Sequence, residues 1–347
     1  MDKKQGSKAK PGLLDEGACV FGGGVLLKHV QALGEEVAGV HAGEEDIEFI
    51  HRARVASRRL RASLPLFQDC LPAKKYPIWM EHIRKVTRAL GQARDADVQI
   101  ERLEKFLNKL EGVRYKPGVI RLILRQRQQR QRLSKPVTKA MGRLIESKMI
   151  DEMIERFSNL AERAESVYIY TPVLYQHSFQ AISQQLEDFL AYDSIVAQPE
   201  KVSELHEMRI HAKWLRYTLE NFAPLYSNEL KPFLQAIRQI QETLGDIHDC
   251  DVWGQFLPQF MDEERQRVLD YYGHDRMFKR LAPGIIHFQE DCLKAREDLH
   301  LSFVGNWQAL QGEMIWESLR KTIQVPFPQP KEIYPPPARP DPSQAND

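Results

Sequence analysis

The chain has 347 residues, 42% hydrophobic and 28% charged, which excludes wholesale disorder and allows one large domain or two modest ones. Its formal net charge is only +1, so it is no polycation, and affinity for a polyanion must come from charge segregated within the fold. Four widely spaced cysteines (Cys19, Cys70, Cys250 and Cys292) form no CxxC motif and are expected to be free thiols in a reducing, cytoplasmic setting.

Residues 1–30 open with lysines and glycines and are expected to be loosely ordered, within an N-terminal segment 1–40. The apolar stretch ACVFGGGVLL is too short to span a membrane, and Asp15 and Glu16 before it argue against a signal peptide; no membrane role is expected. HRARVASRRLR (51–61) then places five arginines and a histidine in eleven positions with no acid. At about 100° per residue His51, Arg54, Arg58 and Arg61 share one narrow face, opposite Leu60, Leu64 and Phe67. Like charges three and four residues apart cost about 0.2–0.5 kcal/mol each, so this face is either solvated, met by acids of a partner helix, or met by an external anion.

Apolar residues at three- and four-residue spacing continue along the chain, and strand signals are almost absent. Breaks are expected at LPAKKYP, RYKPG, YTP, AQPE, LYSNELKP and LAPG, each carrying a proline, which gives about eight helices in an all-α fold. The last 22 residues, from Pro326, are proline-rich and are expected to form an extended tail.

The most informative feature is an internal repeat. HRARVASRRLR aligns with HEMRIHAKWLRY at an offset of 155 residues, placing His206, Arg209, Lys213 and Arg216 over His51, Arg54, Arg58 and Arg61. LGQARDADV (90–98) aligns with LGDIHDCDV (244–252) at an offset of 154. Repetition to build core explains the matched leucines and phenylalanines, but not a repeated face of unbalanced charge, which favours anion binding. Only Arg216 has a potential acid one turn away, Glu220. Arg84 and Arg238 occupy matched positions on the second helix of each copy, with Arg88 a turn beyond Arg84. Residues 114–148 hold eleven Lys or Arg and one acid; of these, Arg121 and Arg125 share a face and are secondary candidates. Arg52 and Arg59 do not recur and are expected to face solvent.

HEMRIHAKWLRYTLE resembles the HxxRxxxKxLRYxxE signature of the conserved-histidine α-helical domain, CHAD, and the two LGxxxDxxV segments are similar to that family's next helix. The resemblance spans residues 41–310, with repeat one at about 41–196 and repeat two at 197–310, leaving 311–347 as a C-terminal segment. It implies two pseudo-symmetric antiparallel helical bundles around a positively charged groove or pore, and binding of inorganic polyphosphate. Some family members are joined to a triphosphatase domain, and stand-alone members are associated with polyphosphate granules. Carried over residue by residue, it assigns anion contact to His51, Arg54, Arg58, Arg61, His206, Arg209, Lys213 and Arg216. The copies differ: Pro65 stands where the second has Glu220, so the first helix should kink or stop there, and Arg59 replaces Trp214.

Polyphosphate is flexible, with a charge on every internal phosphate and no bases to read, so its receptor needs donors in a line. Arginine forks and lysine charges every three or four positions supply them. The histidines are either switches, strengthening binding as pH falls from about 8 to 6, or packed structural groups. HDCD (248–251) hints at a metal-dependent phosphohydrolase, but His248 aligns with Arg94, which cannot ligate a metal, whereas the aspartates at 95/249 and 97/251 recur and suit bonds to helix ends or arginines. No Walker loop, ExExK pattern or nucleophile elbow is present. A binding protein with no catalytic residues, metal or cofactor is expected, with nucleic acid or an acidic protein partner as the rival ligands.

Overall fold

The computed structural model describes residues 14–42 and 47–324. Every regular element among them is helical: α1 (Glu16–Ala42), α2 (Ile47–Ser63), α3 (Tyr76–Lys109), α4 (Lys116–Glu146), α5 (Met149–Ala161), α6 (Pro172–Leu190), α7 (Val202–Phe222), α8 (Lys231–Tyr272), α9 (Arg276–Gly312) and α10 (Ile315–Ile323). The helix starts follow the proline signals. Pro77, Pro117, Pro172 and Pro232 each sit in a first turn, where the missing N–H costs nothing. Thr171 caps α6 by accepting the Leu174 N–H at 3.2 Å. As Pro65 implied, α2 stops at Ser63.

Helix α2 packs on α1, α3 and α7, and α7 packs in turn on α6 and α8. Phe67 and Phe222, at matched positions of the two motif segments, touch with ring centroids 5.8 Å apart, and Phe21 of α1 joins them at 6.1 and 6.4 Å. The buried Ser63 hydroxyl hydrogen-bonds to Asn221 Oδ1 at 2.7 Å, fastening the end of α2 to α7. A second apolar cluster joins the C-terminal half of α3 to α4, α8 and α9 through Leu103, Leu122, Trp253, Leu257 and Phe288.

The structure corrects several expectations. The glycine-rich start is not loose: residues 16–42 form α1, whose Ala18, Leu26, Val30 and Leu33 are core residues. Its glycines serve close approach, since a Cβ at Gly22 would lie 2.5 Å from the Phe67 ring and one at Gly23 would lie 2.6 Å from Leu160. Cys19 and Cys70 are not free but form a disulfide that ties α1 to the turn after α2, which removes the thiol argument for a reducing compartment. Cys250 and Cys292 are free and buried.

LAPG does not break a helix, because Pro283 lies inside α9. Gly284 and Gly118 of α4 meet there so closely that a Cβ on either would collide with the other helix's backbone. The C-terminal segment contributes α10, whose Trp316, Leu319 and Ile323 are buried. Residues 1–13 and the proline-rich stretch 326–347 lie outside the described residues. Among those described, no helix is long and apolar enough to cross a membrane.

Candidate functional site

The cationic faces of α2 and α7 turn toward each other. Lys213 shows this most clearly: burial, then the charges of Arg209, Arg58, Arg61 and Arg54, lowers its pKa to about 8. Three of those four arginines belong to α2. Arg58 and Arg216 lie over the ring of Tyr217 at 5.4 and 5.2 Å, while Arg61 and Lys213 lie over Trp214 at 6.0 and 5.6 Å. Burial, then the charges of Arg54, Arg216 and Arg59, pushes the Arg58 pKa down against the opposing effect of Tyr217. Its Nε is buried without a hydrogen-bond partner.

Acids oppose part of this charge, with Asp246 and Asp249 of α8 near Arg209. Arg54 Nη2 donates to Asp95 Oδ1 at 3.3 Å, and Arg216 Nε stands 3.3 Å from Glu220, the neighbour its sequence position implied. The motif glycines lie beside the arginines. A Cβ at Gly91 would lie 4.0 Å from Arg54 Nε and one at Gly245 would lie 3.6 Å from Arg209 Nε, so each LG step on the second helix adjoins the first helix's arginine at ordinary contact distance.

Beside Arg54 and Arg209 opens a cavity of about 440 Å³, also lined by His51, His248, Arg94 and Arg102. His206 Nδ1 is 3.1 Å from His248 Nδ1, so one ring must donate and the other accept. Burial, then Arg209 and His206, holds His248 at about 4. His206 is lowered by burial and then Arg209, and His51 by burial and then Arg94. These shifts move protonation of the unliganded rings to lower pH, and they bear equally on a switch and on a packed structural group.

The remaining candidates divide. Arg84 and Arg88 are exposed on α3, and their charges depress the Arg61 pKa after burial, so they border the cluster. Arg238 is 70% exposed and donates to Glu242 at 2.9 Å, so the matched pair Arg84 and Arg238 is not equivalent. Arg121 and Arg125 converge on the buried Glu264 at 3.0 Å each, and Arg127 and Arg130 pair with Glu104 and Asp97. Much of the basic α4 is therefore neutralised internally. Arg52 and Arg59 are half-exposed, as expected, but pair with Glu36 and Glu220.

Three of the four recurring aspartates bond to arginines: Asp95 to Arg54 of α2, Asp97 to Arg130 of α4 and Asp251 to Arg296 of α9. Among the described residues no three His, Cys, Asp or Glu side chains gather as a metal site. Arg102, which sequence reasoning passed over, lines the cavity and donates to Cys250 Sγ and Cys292 Sγ at 3.3 and 3.4 Å. Tyr217 and Trp214 were also missed as platforms, although both stand inside the quoted motif.

A family model described as CHAD domain matches residues 24–258, a range that takes in most of α1 as well as both motif pairs. Among solved structures, the crystal structure of the CHAD domain from the plant Ricinus communis is similar with a TM-score of 0.51 at 22% identity, over 94% of this chain and 99% of that one. PptA from Streptomyces chartreusis is similar with a TM-score of 0.55 at 16% identity, over 84% of this chain and 99% of that one. At these identities the likeness concerns the fold. A search of curated proteins finds no match.

Proposed function

The chain belongs to the CHAD domain family, and we propose that it binds inorganic polyphosphate in the cationic cluster between α2 and α7. The family's association with polyphosphate supports the reading, but one observation carries it. Burial, then the charges of Arg209, Arg58, Arg61 and Arg54 gathered around it, lowers Lys213 to about 8, and Arg216 shares the Tyr217 ring with Arg58, with Asp95 and Glu220 as the ion-paired acids. Such an arrangement destabilises the unliganded fold, and a flexible polyanion relieves it along its whole length. The buried, partnerless Arg58 Nε is a donor that such a ligand can fill.

On this reading the protein is a binding module that localises to or organises polyphosphate granules, and no residue is assigned a catalytic step. Nucleic acid is the rival ligand. Trp214 is an aromatic inside the cluster, but Arg61 and Lys213 already cover its ring, leaving it poorly placed to stack a base. Competition at physiological salt separates the two. Long-chain polyphosphate is expected to displace bound RNA or DNA; failure to do so, with displacement in the reverse direction, contradicts the assignment. Salt dependence alone does not decide, since counterion release weakens both.

A further inference from the structure

A second cavity, of about 330 Å³, lies on the α1 side of the same helix pair. Its walls include Lys28 and His29 of α1, Arg59 of α2, and Tyr217, Glu220 and Asn221 of α7. The matched motif faces assign nothing here, because Arg59 does not recur in the second copy and α1 precedes both copies. We propose that this cavity is a second anion site that takes a phosphoryl group, either of a free inorganic phosphate or of a polyphosphate chain held in the adjoining cluster.

Charge favours it. Lys28 and Arg59 face one carboxylate, Glu220, which is already shared by Arg59 at 3.4 Å and Arg216 at 3.3 Å. Lys28 is exposed and has no ion-pair partner among the described residues. Burial, outweighing the Asn221 hydrogen bond, holds His29 at about 4, so at neutral pH it contributes polar atoms but no charge.

Tyr217 supplies the independent observation. It is 2% exposed, it lines the cavity, and its hydroxyl has no hydrogen-bond partner. A buried hydroxyl left unpaired calls for a ligand or a water. Asn221 is already committed, accepting from Ser63 at 2.7 Å and donating to the Tyr217 carbonyl at 2.8 Å, so it shapes the wall. Donors from three helices surround a volume rather than a plane, which suits the tetrahedral oxygens of a phosphoryl group. Because Arg58 and Arg216 lie over the Tyr217 ring, the cavity and the cluster meet at one shared residue.

Pyrophosphate titrated into the full chain tests the site. In an Arg54→Glu, Arg209→Glu protein, where the cluster is disabled, pyrophosphate is expected still to bind. Adding Lys28→Gln should weaken that binding roughly fivefold, and adding Tyr217→Phe roughly tenfold. In the otherwise wild-type chain, Lys28→Gln should weaken one class of pyrophosphate sites by the same factor and leave the cluster sites unchanged; Lys28 is exposed, so this change does not threaten folding. Linear polyphosphate distinguishes the sources: weaker binding to Lys28→Gln means the chain reaches the cavity, and unchanged binding means the cavity takes free phosphate. Pyrophosphate binding that is absent, or indifferent to both Lys28→Gln and Tyr217→Phe, overturns the proposal. Polyphosphate binding unaffected by Arg54→Glu, Arg209→Glu would instead remove the cluster assignment and leave this site standing.

Discussion

Lys213 is the residue where the electrostatic cost of the cluster is most visible. Its folded pKa of about 8 lies below the ordinary lysine value, chiefly through burial and then four arginine charges. Protonation therefore favours the unfolded chain, and this residue's contribution to stability rises as pH increases from about 8 toward the ordinary value. A bound polyanion reverses the preference and pulls a proton on. Affinity is accordingly expected to be independent of pH, as far as Lys213 is concerned, well below 8 and to fall as pH rises above it. Calorimetry at pH 8.5 in buffers of different ionisation heat should show proton uptake on binding, and Lys213→Arg should abolish it. Equal uptake in that variant would mean that another group titrates. The histidines act at lower pH, since burial first and neighbouring cations second depress His51 and His206.

Among the elements, α1 is the one the sequence concealed. Three adjacent glycines lower helix propensity, and only the tertiary fold shows that Gly22 and Gly23 make room for Phe67 and Leu160. Its disulfide spans 51 residues, for which the loop-entropy estimate is about 4 kcal/mol. Cys70→Ser is expected to lower the denaturant midpoint by a shift worth up to that amount without abolishing helicity; an unchanged midpoint would show that apolar packing alone holds α1. Helix α4 poses the opposite case, a basic stretch that reads as ligand-facing but serves structure. Glu264 is 1% exposed and is held below the usual carboxylate range: burial raises its pKa, but the Arg125 hydrogen bond and the charges of Arg125 and Arg121 prevail. Glu264→Gln leaves those half-exposed arginines without a countercharge and should cost about 2 kcal/mol by thermal or chemical unfolding, discounted for solvent screening. Since the depressed pKa contributes stability that is lost as pH falls through it, the variant's stability should also depend less on pH below about 4.5.

Across the whole molecule, the helical class and the charged faces were legible because both are periodic in sequence. The cations of α2 and α7 recur at one offset, and the structure turns both sets into one cluster. The rest depends on packing that periodicity does not encode. Arg121 and Arg125 met Glu264, more than a hundred residues away, and LAPG became a close crossing of α9 with α4 rather than a break. Tyr217 was quoted in the motif, yet nothing in a linear sequence shows two guanidiniums over its ring or a hydroxyl left without a partner. The central claim is that α2 and α7 together form the polyphosphate site. It is tested most directly by titrating polyphosphates of defined length into wild type and into Arg54→Glu, Arg209→Glu. Replacing one cation on each helix by an anion should weaken binding at least a hundredfold while the helical spectrum is retained, and unchanged affinity would contradict the claim.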